Sequence, residues 1–230
     1  LFGTAVTIDT DSTTADIPEA IYWVDGAEGA APTTEGASAD NWNYRFTIED
    51  NIPTVTLKDA NYSYAERCIY IPAAVKGTVN IEYQGINNMK VPTGSSDDQF
   101  LSAASNSANV INLLGAENAV LNVTGGAQKG ALISISSGTT QYRELNMIGG
   151  TINLTKGSVS NQHHAGALSA AYCAVLVENC DLNVTVSNAN TNAAYATYAT
   201  VYAGGGTVGQ NFVIRNSNLT VNTSQMTGIA

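Results

Sequence analysis

Apolar residues along this chain recur in short alternating pairs, and the pairs recur at a fixed offset. The pattern apolar-x-apolar, four residues, apolar-x-apolar fits Val55, Leu57 / Tyr62, Tyr64 and Leu145, Met147 / Ile152, Leu154. It fits again at Val175, Val177 / Leu182, Val184 and at Phe212, Ile214 / Leu219, Val221. Alternation at period two marks a strand with one buried face. Two residues after the second apolar position stand Asp59, Gly149, Asn179 and Asn216. These residue types best tolerate left-handed backbone geometry, so the spacing predicts strand, sharp corner, strand.

Partial copies fill the intervals. Val79, Ile81 and Ile86 fall in register, with Asn88 in place of the last apolar residue, and Leu121 with Val123 reads as another first strand. First positions at 55, 79, 121, 145, 175 and 212 give steps of 24, 42, 24, 30 and 37 residues. The longest step leaves room for a further coil near Val110–Leu114. Third sides are expected at 68–71, 131–135, 166–170 and 199–203. Coils of roughly 20–30 residues, stretched by corner insertions, are the signature of a solenoid. The expected fold is therefore all-β, a single-stranded right-handed parallel β-helix. An immunoglobulin-like sandwich also has many short strands, but it does not predict the recurring offset across a corner.

The ends read differently. Residues 1–50 are expected to form an N-terminal cap and first coil, with a short helix within 13–26 started by Asp16 and Pro18, and a strand at 43–50. Residues 51–230 then form one continuous parallel β-helix. The chain begins at Leu1 and stops as a third side would start, so it reads as a piece of a longer, processed surface protein. Corner asparagines such as Asn179 and Asn216 are candidates to stack along the axis.

Composition sharpens this picture. Charged residues are 12% of the chain and apolar residues 44%, so small polar and small apolar side chains dominate a sequence still rich enough to bury a core. A net charge of −10 with nine scattered Lys and Arg speaks against nucleic acid as a partner. No apolar run is long enough to span a membrane. Cys68, Cys173 and Cys180 are odd in number and irregularly spaced, which fits buried small side chains better than a disulfide framework or a zinc site.

Catalytic constellations are hard to find. Hydrolysis of a glycosidic bond needs two carboxylates flanking a cleft. Asp97–Asp98 and Glu49–Asp50 are adjacent acids without a base at recognisable spacing. His163 and His164 would point to opposite faces of a strand. Sugar binding is the chemistry that the residue types suit best, because aromatic rings stack on sugar faces while amides and acids take the hydroxyls. The candidate ligand-binding residues are Trp23, Trp42, Tyr44, Tyr198, Tyr202, Asp97 and Asp98. The same rings would equally serve to pack a cap. Four Asn-x-Thr sites, at Asn122, Asn153, Asn183 and Asn218, fall within or beside the alternating strands and read as strand chemistry rather than modification signals.

The run TVTLKDANYSYAERCIYIPAAVKGTVNIEYQG, followed by AVLNVTGG and later by ELNMIGGTINLT, resembles bacterial cell-surface β-helix proteins of the carbohydrate-binding-domain-containing group, related in fold to pectate lyases. The shared rhythm lies in TVTLKDA, CIYI and VNIEYQGIN and covers about residues 45–230. The resemblance implies a secreted or wall-attached protein that binds polysaccharide, with calcium as the candidate ion, and it brings no ligand motif residue by residue. Three functions follow as expectations: a non-catalytic glycan-binding or adhesive module, a lyase or hydrolase acting on an acidic polysaccharide, and a structural spacer of a surface protein.

Overall fold

A computed structural model describes residues 1–2, 20–63, 67–91, 99–125, 131–136, 142–157, 166–187, 199–204, 211–223 and 227–229. Strands β1 (Ile21–Trp23) and β2 (Tyr44–Glu49) open the chain. Then strands come in threes. The first rung is β3 (Ile52–Lys58), β4 (Asn61–Tyr62) and β5 (Ile69–Ile71), and the second is β6 (Thr78–Gln84), β7 (Ile86–Val91) and β8 (Leu101–Ala103). The third is β9 (Val110–Gly115), β10 (Val120–Gly125) and β11 (Ile133–Ser136). The fourth is β12 (Glu144–Ile148), β13 (Thr151–Lys156) and β14 (Leu168–Ala171). The fifth is β15 (Ala174–Glu178), β16 (Asp181–Val186) and β17 (Ala199–Gly204). The last is β18 (Phe212–Arg215), β19 (Leu219–Thr223) and β20 (Thr227–Ile229).

Each rung gives one strand to each of three sheets, and every contact between rungs is parallel. The protein is thus an all-β parallel solenoid. Stacking in register turns the alternating pattern into ladders. Val55, Ile81, Leu113, Met147 and Val177 line up inside the first sheet. Leu121, Ile152 and Leu182 do so inside the second, and Ile69, Leu101, Ile133, Leu168 and Val201 inside the third. All are buried. Each large side chain removed from water in this way contributes about 1.5–3 kcal/mol.

The corners are where the residue types placed them. Asp59, Gly149, Asn179 and Asn216 have φ of 47°, 74°, 50° and 47°. Gly149 is also required by close approach: a Cβ there would lie 2.4 Å from the carbonyl oxygen of Gly115. The Tyr83 hydroxyl donates to the Gly149 carbonyl at 2.8 Å, pinning the second rung to the fourth. The expected third sides are β5, β11, β14 and β17, and the long step does hold a further rung beginning at β9.

Several expectations are corrected. Leu121 belongs to the second sheet, where it pairs with Ile152, so the identical LNVT runs at 121–124 and 182–185 lie on the same face. The wide loop at 116–119 separates it from the first strand of its own rung. Ile86 points outward at 58% exposure, and Asn87 takes the inward place. Asn87 is tolerated there because its Oδ1 accepts the Ala60 amide at 3.0 Å and its Nδ2 donates to the carbonyls of Gln84 and Val120. Val55 stacks on the Met147 ladder rather than on that of Leu145, since the first three rungs run further before their corner.

At the start of the chain, Ile21–Trp23 is a strand, not part of a helix, and its β-branched and aromatic composition suits that state. It pairs antiparallel with β2, which pairs antiparallel with β3, so these two strands extend the first sheet beyond the first rung and β1 is its end strand. The strand expected at 43–50 is therefore present but runs against the rungs. Residues 3–19, which hold the remainder of the expected helix, lie outside the described residues. At the other end the inward Ile214 is 42% exposed, and Phe212, Leu219 and Val221 are half-buried.

Candidate functional site

A groove of about 540 Å³ opens where the second sheet meets the segment that follows β1. Its wall comes from Asp25, Gly26 and Glu28. Its floor is the outward face of β4, β7 and β10, with Asn61, Ser63, Asn88, Lys90, Asn122 and Thr124. The wall is fixed by hydrogen bonds. Asn43 Oδ1 accepts the Asp25 amide at 3.0 Å, and Gly29 donates its amide to Ser63 Oγ at 3.0 Å. Asp25 Oδ1 accepts both the Tyr44 hydroxyl at 2.6 Å and the Asn61 amide at 2.8 Å. Burial, together with that bond to Asp25, holds the Tyr44 hydroxyl far above its ordinary pKa, so it stays a neutral donor. Gly26 makes the tight turn of the wall, since a Cβ would come within 2.3 Å of the Ala31 carbonyl oxygen.

Beyond the groove the floor continues as rows. Asn88, Asn122, Asn153 and Asn183 are in register on successive rungs. Asn122 Nδ2 donates to Asn88 Oδ1 at 3.0 Å, Asn153 to Asn122 at 2.8 Å, and Asn183 to Asn153 at 2.9 Å. All three bonds run the same way, so the amides polarise one another along the axis. Lys90, Thr124, Thr155, Thr185 and Asn222 form a second row beside them. A shorter ladder, Asn80–Asn112–Asn146, runs on the first sheet, with bonds of 2.8 and 3.0 Å. The stacked asparagines are thus strand residues, while Asn179 and Asn216 serve as corners.

The aromatic candidates do not converge on this groove. Trp23 and Tyr44 are 2% and 0% exposed; both pack on Phe2, with Tyr44 at a ring distance of 4.4 Å. Their ring faces belong to the core, which leaves none for a sugar. Trp42 lies on the outside of the antiparallel strands, half-buried, beside Tyr22 and with Arg45 and Lys58 at 5.4 and 5.0 Å from its ring centre. Tyr202 is half-buried on the third sheet, in register with Ser169. Tyr198, Asp97, Asp98, His163 and His164 lie outside the described residues.

Sequence reasoning missed Asp25, Glu28, Asn88 and Lys90. The outward Asn positions in INLT and LNVT were a visible signal for the rows, but nothing in a linear reading brings residues 25–28 over strands that begin 36 residues later.

A second, smaller groove of about 330 Å³ is lined by Thr56, Glu82, Tyr83, Gln84 and Leu114 to Ala116. Its one carboxylate, Glu82, accepts the Thr56 hydroxyl at 3.1 Å. The calcium that the resemblance implies finds no group of three or more ligating His, Cys, Asp or Glu side chains among the described residues. Among those residues no helix is long and apolar enough to cross a membrane. No family model, curated protein or solved structure matches this chain.

Proposed function

We propose that this protein is a non-catalytic polysaccharide-binding or adhesive module of the bacterial cell surface or exterior. The observation that carries the reading is the groove on the second sheet, where carboxylates, amides, hydroxyls and an ammonium converge over strands held rigid by stacking. Such a set matches the donors and acceptors of sugar hydroxyls. The resemblance of TVTLKDA, CIYI and VNIEYQGIN to carbohydrate-binding surface β-helices supports the same class. Asp25 is already engaged by two donors, which suits a fixed acceptor better than a general acid or base.

The test is retention on affinity gels cast with plant, animal and bacterial polysaccharides. Retention on at least one is expected, with about a tenfold loss of affinity, some 1.4 kcal/mol, in the double variant Asn88→Ala, Lys90→Ala. Both side chains are exposed and the only bond of the row that is lost is the one Asn88 accepts from Asn122, so the thermal midpoint should fall by no more than about 2–4 °C and the fold should stay intact. Migration unaltered by every polymer would overturn the proposal.

A further inference from the structure

We infer that the ligand of this groove is an uncharged, extended polysaccharide laid along the solenoid axis, with successive sugar residues on successive rungs. The inference rests on the glycan-binding reading and adds a direction and a charge class to it.

Direction follows from what repeats. Along the axis the face offers the same group again and again, Asn88–Asn122–Asn153–Asn183 and, beside it, Thr124–Thr155–Thr185. The repeat distance is the strand spacing of about 4.8 Å, close to the length of one pyranose unit in an extended chain. Across the face the groups differ, as in Thr151, Asn153 and Thr155, and they end after one strand. A polymer of one repeating unit therefore finds a repeating partner only along the axis.

The ladder prepares those partners. A primary amide has two N–H donors and two acceptor lone pairs. Asn122, Asn153 and Asn183 each spend one N–H on the neighbouring rung, which fixes the amide plane. The second N–H of each remains for a hydroxyl, with one acceptor lone pair on Asn122 and Asn153 and two on Asn183, so little side-chain freedom is lost on binding. At the groove end the exposed Ile86 and half-buried Val120 border the rows and supply an apolar contact for a sugar's C–H face.

Charge selects the polymer. Among the described outward residues of this face, Lys90 is the one basic side chain and Asp181 the one acidic one, while the groove wall adds Asp25 and Glu28. The chain as a whole carries −10. A polyanion meets net repulsion here, and an uncharged chain does not.

The experiment is calorimetric titration with a disaccharide-to-octasaccharide series of cello-, β-1,3-gluco-, manno- and xylo-oligosaccharides, with oligogalacturonates as the acidic arm. Affinity for at least one uncharged series should climb with chain length well past the trisaccharide and stay nearly constant between low and high salt. Thr155→Phe, placed mid-row and exposed, should cut octasaccharide affinity about tenfold and leave the shortest binding oligomer unchanged. Affinity that plateaus at a di- or trisaccharide, indifference to Thr155→Phe, or tighter and salt-sensitive binding of oligogalacturonates would overturn the axial, uncharged assignment while the glycan reading stands. Absence of binding to all series, together with absence of retention on any gel, would remove both.

Discussion

Two buried cations show how single residues are accommodated in this core. Arg143 is 2% exposed, and its guanidinium donates to the carbonyls of Ala108, Ala104 and Ser105 at 2.9, 3.0 and 3.2 Å and to Ser107 Oγ at 3.2 Å. It holds the corner 104–108 in place of the strand hydrogen bonds which that corner lacks. Arg143→Met keeps much of the volume but takes the donor from the Ala108 carbonyl, while Ala104 keeps Ser107 and Ser105 faces solvent, so urea denaturation should show a loss of about 2 kcal/mol. Lys156 is different. Burial lowers its ammonium from 10.5 to about 8. Between those values the unfolded chain binds the proton and the folded one does not, so this group makes stability rise with pH. Tyr44, Tyr83 and Cys68, all raised by burial, and Cys180, raised to about 11, act oppositely at higher pH. The clean observable is a difference. Lys156→Met should be more stable than wild type near neutrality, and that advantage should shrink as the pH climbs past about 8. Parallel curves would refute it.

At the scale of the element, the strand ladders can be dissected one amide at a time. Asn153 both accepts and donates within its row, whereas Asn183 donates at the row's end. Asn153→Ala should therefore cost more than Asn183→Ala, about 2 against 1 kcal/mol, read from denaturation midpoints at constant m-value. Alternation and corner chemistry were legible in the sequence because they are local: Val175, Val177, Asn179 and Leu182 each report their own backbone state. Register was legible only where corners were equally long. Leu121 follows the inward Leu113 by eight residues where Ile152 follows Met147 by five, which hides its place in the second sheet, and Ile86 points outward because Asn87 can satisfy its own amide inside the core. The groove was illegible because its wall reaches its floor through tertiary hydrogen bonds alone. Trp23 and Tyr44 carry rings of the kind that stack on sugars, yet they fill the core against Phe2.

At the scale of the molecule, each rung touches mainly its two neighbours, so stability is a sum of rung and interface terms rather than one all-or-none quantity. Among the described residues the sixth rung is paired on one side, and its inward Ile214 is 42% exposed. Hydrogen exchange in the 1–230 chain should follow a gradient, with amides of β18 and β19 exchanging well before those of β12 and β13, and uniform protection would speak against independent rungs. The asparagine row has a further consequence for making the protein. Asn122, Asn153 and Asn183 each head an Asn-x-Thr triplet, and once folded each side-chain nitrogen donates one N–H to the asparagine of the preceding rung. A eukaryotic secretory host attaches its oligosaccharide to that same nitrogen while the chain is still emerging. Each such graft would plant a bulky branch between rungs that must close to strand distance, so a host without this modification is the one that should yield the native stack.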